Sequence, residues 1–526
     1  MYLIRSIATV GGFTMISRIT GFIRDVLIAR FLGASLIADA FFVALKLPNL
    51  FRSLFAEGAF NSAFVPLFAE QMELNGREKA KMFARETFSA LLYIVALFVA
   101  LMEIIMPYAV MVVAPGFIET PGKVALTAEL CRITFPFLLL VSLNSMQGGI
   151  LNTCGKFAAP AFTSTILNLT MIASLFVLTP YTDGPAFALA WGVTISGVIQ
   201  FLFLAWHLRK EGMLMRLVAP FKVLFRASEE AVLLLKRILP GVVGSGIYQI
   251  NLVIDMFFVS FLATGSVSFI YYANRMFQLP VGILGAAIGT ALLPLLTRQI
   301  KKGNLEGEKE SMSRALEVAL LSSVPAALGL AILDVPIIAA LFEYGAFTSV
   351  ETEKTAAALS AFAVGLPAYV VSKTLLPAFY SRGDTSSPVR VAAIALILNA
   401  FLCYTLMQEY GHVGIALATS ITAWINLGQY FFMLKRRGFL HTDKHFKRRV
   451  PKILVSALLM AWLLQLALYG TDIYVGDWLH QGAWLKITVL SVLVTVGIII
   501  FSILALITGA FKISDLKLKG GKEDDK

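Results

Sequence analysis

Long apolar runs, each closed by glycine, proline or charge, recur along all 526 residues. A helix crossing the hydrocarbon core of a bilayer takes roughly 20 apolar residues. Fourteen runs of that kind are predicted, at 6–30, 36–56, 86–113, 124–151, 159–179, 185–207, 236–263, 266–297, 314–342, 355–380, 388–408, 412–434, 452–470 and 484–510. Hydrophobic residues make up 58% and charged residues 14% of the chain. Soluble proteins average about 45–50% apolar and about 25% charged. A soluble enzyme, a secreted disulfide scaffold and a disordered chain are therefore excluded. The runs are too long and continuous for the short alternating segments of a membrane barrel. The expected fold class is an all-α polytopic membrane protein with fourteen transmembrane helices.

The scarce charges carry more information than the abundant apolar residues. With the N-terminus in the cytoplasm, thirty-two basic residues fall in the cytoplasmic connections and tail. Only Arg30, Lys123 and Lys354 fall in the opposite connections. This asymmetry predicts both termini inside. The net charge of +12 then reflects topology rather than nucleic-acid binding. Cys131, Cys154 and Cys403 lie far apart without metal-ligand spacing, and the five histidines do not cluster with acids or cysteines. The first apolar run, broken by Arg18 and Arg24, is expected to be a retained span and not a cleaved leader.

A weak internal repeat relates FLGASLIADAFFVALKLP at 31–48 to FLATGSVSFIYYANRMFQLP at 261–280, six helices later. An even offset gives two lobes of like orientation related by an axis along the membrane normal. The expected organisation is an N-lobe at 1–208, an amphipathic cytoplasmic linker at 209–235 and a C-lobe at 236–437. Two further helices follow at 438–510, then a cytoplasmic tail at 511–526.

Nine basic residues remain outside the connections. Arg5 and Lys486 sit at helix ends, and Arg132 and Lys373 are within snorkelling reach of the interface. Arg18, Arg24, Lys46, Arg52 and Arg275 lie within apolar runs, with Asp25, Asp39 and Glu57 nearby in sequence. Each central cation costs ~2.5–3.5 kcal/mol on insertion scales, so these residues are expected to avoid lipid. One reading pairs them internally, Arg24 with Asp39 or Lys46 with Glu57. The other is an anion site, for which the fixed charge and planar fork of arginine suit a phosphate. The six-residue offset shared by Arg18–Arg24 and Lys46–Arg52 is read as placing each pair on one broad face. Gly11-Gly12, Gly21, Pro48 and Pro280 are either packing kinks or bending points for alternating access.

The segments SRITGFIRD at 17–25 and ADAFFVALKLPNLFRSLFAEGAFNSAFVPLFAE at 38–70 resemble the MurJ (MviN) family of lipid II flippases, in the multidrug/oligosaccharidyl-lipid/polysaccharide exporter superfamily. YYANRMFQLPVGILGAAIGTALLP at 271–294 and KTLLPAFYSRGDTSSPV at 373–389 carry the same resemblance. It implies two six-helix lobes around a cationic cavity, with two extra helices forming a groove for a polyprenyl tail. Arg18, Arg24, Arg52 and Arg275 match the family's cavity arginines, and Asp39 and Lys46 match further cavity positions. Asn274 stands where the family often has aspartate. No cofactor is implied, but some members hold sodium, and Asp255, Asn399 and Thr419 occupy matching positions. Cys403 lies where an acid would strengthen that set.

The resemblance implies a monomer in the bacterial inner membrane that moves undecaprenyl-diphosphate-linked peptidoglycan precursor, lipid II, to the periplasmic leaflet. Flipping of another polyprenyl-linked glycan is the alternative within the same superfamily. A drug exporter would favour acidic cavity residues. A membrane glycosyltransferase would need acidic or histidine clusters in sizeable loops. A scaffold would have no use for intramembrane charge.

Overall fold

The computed structural model describes residues 2–52, 59–215, 217–219, 249–250, 253–440 and 442–512. Among the described residues every regular element is helical. Lipid offers the backbone no hydrogen-bond partner, so each spanning segment satisfies its own N–H and C=O groups. The first eight helices are α1 (Tyr2–Leu32), α2 (Leu36–Arg52), α3 (Ala59–Leu74), α4 (Gly76–Val113), α5 (Lys123–Thr134), α6 (Phe137–Thr153), α7 (Ala158–Val177) and α8 (Pro185–Lys210). Residues 253–259 are helical. Then come α9 (Ser266–Lys301), α10 (Leu305–Ile332), α11 (Asp334–Phe342), α12 (Ser349–Tyr380), α13 (Ser386–Arg436), α14 (Lys444–Tyr474) and α15 (Ala483–Thr508).

All fourteen predicted runs fall on helical residues, although most of the seventh, at 236–263, lies outside the described residues. The boundaries differ for identifiable reasons. The fourth run divides into α5 and α6 at Pro136, which has no N–H to continue the ladder. The ninth divides at Leu333 into α10 and α11. The eleventh and twelfth follow one another without a loop as α13, which Gly411 breaks with φ 55° and ψ −132°. Thr422 reaches back to Asn399 across 3.4 Å. Twenty-three residues of straight helix would separate these two by about 34 Å, so the chain reverses at Gly411. Helix α3 was not among the expected runs, being shorter than a span. It is held by a ladder of rings, Phe60–Phe64 at 5.5 Å and Phe64–Phe68 at 5.6 Å, with Phe64 also 5.7 Å from Phe83 of α4.

The chain forms two compact units. The first comprises Met1–Ser268 and Tyr344–Phe347, and the second comprises Phe269–Glu343 and Thr348–Lys526. Residues up to Ser268 group with the first helices, as where Gly116 N donates to Ser260 Oγ at 3.0 Å. In the first unit α1 packs on α7, α2 on α5, and α6 on α8. The turn at 344–347 belongs there through direct backbone contact. Ala346 N donates to Arg30 O at 2.9 Å, and Gly33 and Gly345, both at positive φ, leave no room for a Cβ. The start of the expected linker is held along α4 by hydrogen bonds. Lys81 Nζ donates to Gly212 O at 2.8 Å, Tyr93 Oη to Val218 O at 2.8 Å, and Val218 N to Ser89 Oγ at 2.9 Å.

In the second unit α12 packs on α10 and α13, and α14 and α15 pack on α10 and α11 respectively. The last two helices thus join this unit. Arg449 of α14 pairs with Glu317 at 2.8 Å, and Lys486 of α15 with Glu343 at 3.0 Å. Small residues bring the helices close, as expected where lipid supplies no hydrophobic drive for association. A Cβ on Gly365 would lie 2.8 Å from Ser420 Cα, and Ser420 Oγ donates to Ala361 O at 2.7 Å. Gly365→Ala is therefore expected to force α12 and α13 apart and cost about 1–3 kcal/mol, seen as a lower thermal midpoint of the detergent-solubilised chain. Gly329→Ala on α10, with open space around the glycine, should leave the midpoint unchanged or raise it.

Candidate functional site

The intramembrane charges separate into those already matched and those that are not. On α1, Arg24 is 7% exposed and Asp25 0% exposed. Arg24 Nε and Nη2 donate to Asp25 Oδ1 at 3.0 and 2.7 Å, and Nη1 donates to Asn168 Oδ1 at 2.9 Å. Asn168 of α7 in turn donates to Ser17 O at 2.9 Å, joining the two helices around the arginine. Arg24 is thus a neutralised, positioned group. Arg18 is exposed and has no hydrogen bond or ion pair among the described residues. The expectation that these two share a face fails on geometry, since six residues advance a helix by about 120° net.

The expected Arg24–Asp39 pairing also fails. Arg24 lies eight residues before the end of α1, whereas Asp39 is in the first turn of α2, so the two sit at different depths. Asp39, 1% exposed, is surrounded by donors. Lys123 Nζ reaches it at 3.0 Å, Gly265 N at 2.8 Å, Ser268 N at 3.1 Å and Ser268 Oγ at 2.8 Å. It staples the starts of α2, α5 and α9, and it is not exposed toward a ligand. Lys123, which the sequence placed in a connection, is 2% exposed and sits 4.0 Å from the Phe117 ring centre. A lysine at the first position of a helix opposes the macrodipole, and that was the available signal that it answers a buried carboxylate.

Lys46 and Arg52 are half-buried on α2. The charge of Asp255 acts on Lys46, while Glu57, its expected partner, lies outside the described residues. In the second unit Asn274 and Arg275 are half-buried on α9, and Asn274 Oδ1 accepts from Gln278 at 3.5 Å. The expected sodium ligands divide between the units. Asp255 belongs to the first unit, and Asn399 and Thr419 to the second. Asn399 accepts from Thr422, and the Thr419 hydroxyl donates to Ile415 O at 3.1 Å. Among the described residues no three histidine, cysteine or acidic groups gather, and Cys403 is a soft ligand for a hard cation. No step below runs through an ion.

The family described as Lipid II flippase MurJ matches residues 28–495. The chain belongs to this family. A probable lipid II flippase MurJ from Rhizobium tropici is 38% identical over 523 residues, 98% of this chain and 96% of the relative. The corresponding protein of Vibrio cholerae is 34% identical over 524 residues, 98% of each. Among solved structures, a lipid II flippase MurJ in an inward closed conformation is 28% identical. It covers 95% of this chain and 98% of its own length with a TM-score of 0.78. An inward-facing multidrug transporter of the MATE family, 16% identical with a TM-score of 0.67, covers 82% of this chain and 97% of its own and shares the fold. The chain is a lipid II flippase, a multi-pass membrane transporter.

The staple in this flippase has a measurable energetic signature. Removing one partner of a buried ion pair typically costs ~3–5 kcal/mol, because the other charge is stranded. Lys123→Met should lower the thermal midpoint of the solubilised flippase strongly. Adding Asp39→Asn should restore part of the loss. Strictly additive effects in this double-mutant cycle would show that the two charges are not coupled.

Proposed function

We propose that this flippase carries lipid II from the cytoplasmic to the periplasmic leaflet by alternating access, with the diphosphate neutralised by intramembrane cations. The observation that carries the proposal is Arg18, an arginine inside an apolar helix, exposed and without an ion pair, six residues from an arginine whose charge is matched. An unmatched charge at membrane depth marks a water-filled path or an anionic occupant. Lys46 and Arg52 add positive charge from α2, and Arg275 is a further intramembrane cation on α9. A diphosphate offers several acceptor oxygens, which suit the arginine fork.

The basic connections place both termini in the cytoplasm, and so the Asp39–Lys123 staple at the outer ends of its helices. That staple is the outer closure of the first unit, which parts when the substrate leaves. Arg24 holds its neighbours in place through Asp25 and Asn168 and sets the local field. The polyprenyl tail remains in the lipid phase along α14 and α15. The flippase makes and breaks no covalent bond in its substrate and acts as a monomer.

Arg18→Ala and Arg275→Ala are expected to abolish growth of cells depleted of their own lipid II flippase, with the variant protein still present in the membrane at normal amounts. Full complementation by both variants would overturn the anion assignment.

A further inference from the structure

A polar cavity of about 260 Å³ lies wholly inside the first unit, lined by α3, α6, α7 and α8 with Arg52 from the end of α2. Its wall is built of uncharged polar side chains, principally Asn61, Asn144, Ser145, Thr163 and Gln200. Such a cluster at membrane depth is costly unless each group is satisfied. Here the donors of Asn144, Asn61 and Thr163 are engaged. Asn144 Nδ2 donates to Gly197 O and to Gln200 Oε1, both at 3.3 Å. Because Gly197 offers a carbonyl, the amide can face it only with its NH2 group. Asn61 Nδ2 donates to Ser145 Oγ at 2.7 Å, and Thr163 Oγ1 donates to Pro160 O at 2.7 Å. Asn144, 5% exposed, and Asn61 each keep a buried side-chain oxygen with no hydrogen-bond partner.

The backbone is shaped to keep this space open to polar groups. A Cβ on Gly149 would press on Val65 at 2.9 Å, and one on Gly148 would meet Pro160 at 3.3 Å. The glycine pair lets α6 approach α3 and α7 closely enough for their amides to converge. The space is smaller than the roughly 300–1,000 Å³ of pockets for drug-sized ligands. It suits a single ring bearing hydroxyl and amide N–H donors, held next to an anion that the Arg52 guanidinium can meet.

We propose that this cavity is a subsite for the sugar directly attached to the diphosphate of the substrate. The unpartnered amide oxygens of Asn144 and Asn61 accept hydrogen bonds from sugar hydroxyl or acetamido N–H groups, while Arg52 faces the adjoining phosphate. The proposal rests on the flippase reading and adds glycan recognition to it. Water is the competing occupant, since a polar site of this size is readily hydrated.

The test compares two ligands on the purified full-length protein, lipid II and undecaprenyl diphosphate, which has the same tail and diphosphate and no sugar. Asn144→Ala and Asn61→Ala are expected to weaken lipid II binding about ten-fold, the scale of one or two lost hydrogen bonds. Binding of undecaprenyl diphosphate should be unchanged. If one variant does not fold, the other carries the same comparison. Unchanged lipid II affinity would overturn the subsite and leave a hydrated cavity. Equal weakening of both ligands would overturn it in favour of a role in helix packing. A wild-type protein that does not bind lipid II at all would reject the flippase reading and the subsite with it.

Discussion

A hydrocarbon interior supplies no partner for a charge, and this protein is organised around that fact. Every ion deep in an apolar helix must be matched by protein, reached by water or occupied by a ligand. Arg24 is matched by Asp25 and Asn168, Asp39 by Lys123 and three further donors, and Lys486 by Glu343. These pairs are fixed points around which the helices pack. Arg18 is left over. The distinction between matched and unmatched charge, rather than the presence of charge, separates architecture from the transport path.

The same rule accounts for the neutral polar groups. Buried serines and threonines mostly return a hydrogen bond to their own helix, as Thr127 does to Lys123 O and Ser142 to Leu138 O, each at 2.7 Å. Others cross between helices, as Ser420 does. Asn144 and Asn61 use their amide donors while their side-chain oxygens have no hydrogen-bond partner. Together with Arg52 they give the first unit both a phosphate-facing cation and a sugar-facing wall. A lipid carrier with a diphosphate joined to a sugar presents those two chemistries side by side.

Much of this was legible in the sequence because the bilayer imposes a length and a polarity on every span. Among the described residues the apolar runs mark helices, and the motifs around Arg24 and Arg275 point to the right family. The losses have physical causes. Helix α3 is too short to register as a span and is stabilised by ring stacking, which a hydropathy window does not see. Pro136 and Leu333 divide runs whose composition is continuous. Charge counting placed Lys123 in a connection, because its burial depends on Asp39, eighty-four residues earlier. The pairing of Arg24 was misjudged for the same reason. Sequence shows which charges are present but not their depth or direction, and Asp25, the immediate neighbour, proved closer than the residue one helix away.

The central claim is that Arg18, the arginine left without a partner among the described residues, serves to carry a lipid diphosphate across the bilayer. Reconstitution of the purified chain into vesicles with fluorescent lipid II in one leaflet tests it most directly, by the rate at which the label becomes accessible on the other side. The account predicts rapid translocation by the wild-type chain, lost in Arg18→Ala and retained in a chain altered only at an exposed tail lysine. Translocation at the same rate by Arg18→Ala, or none by the wild-type chain above protein-free vesicles, would contradict it.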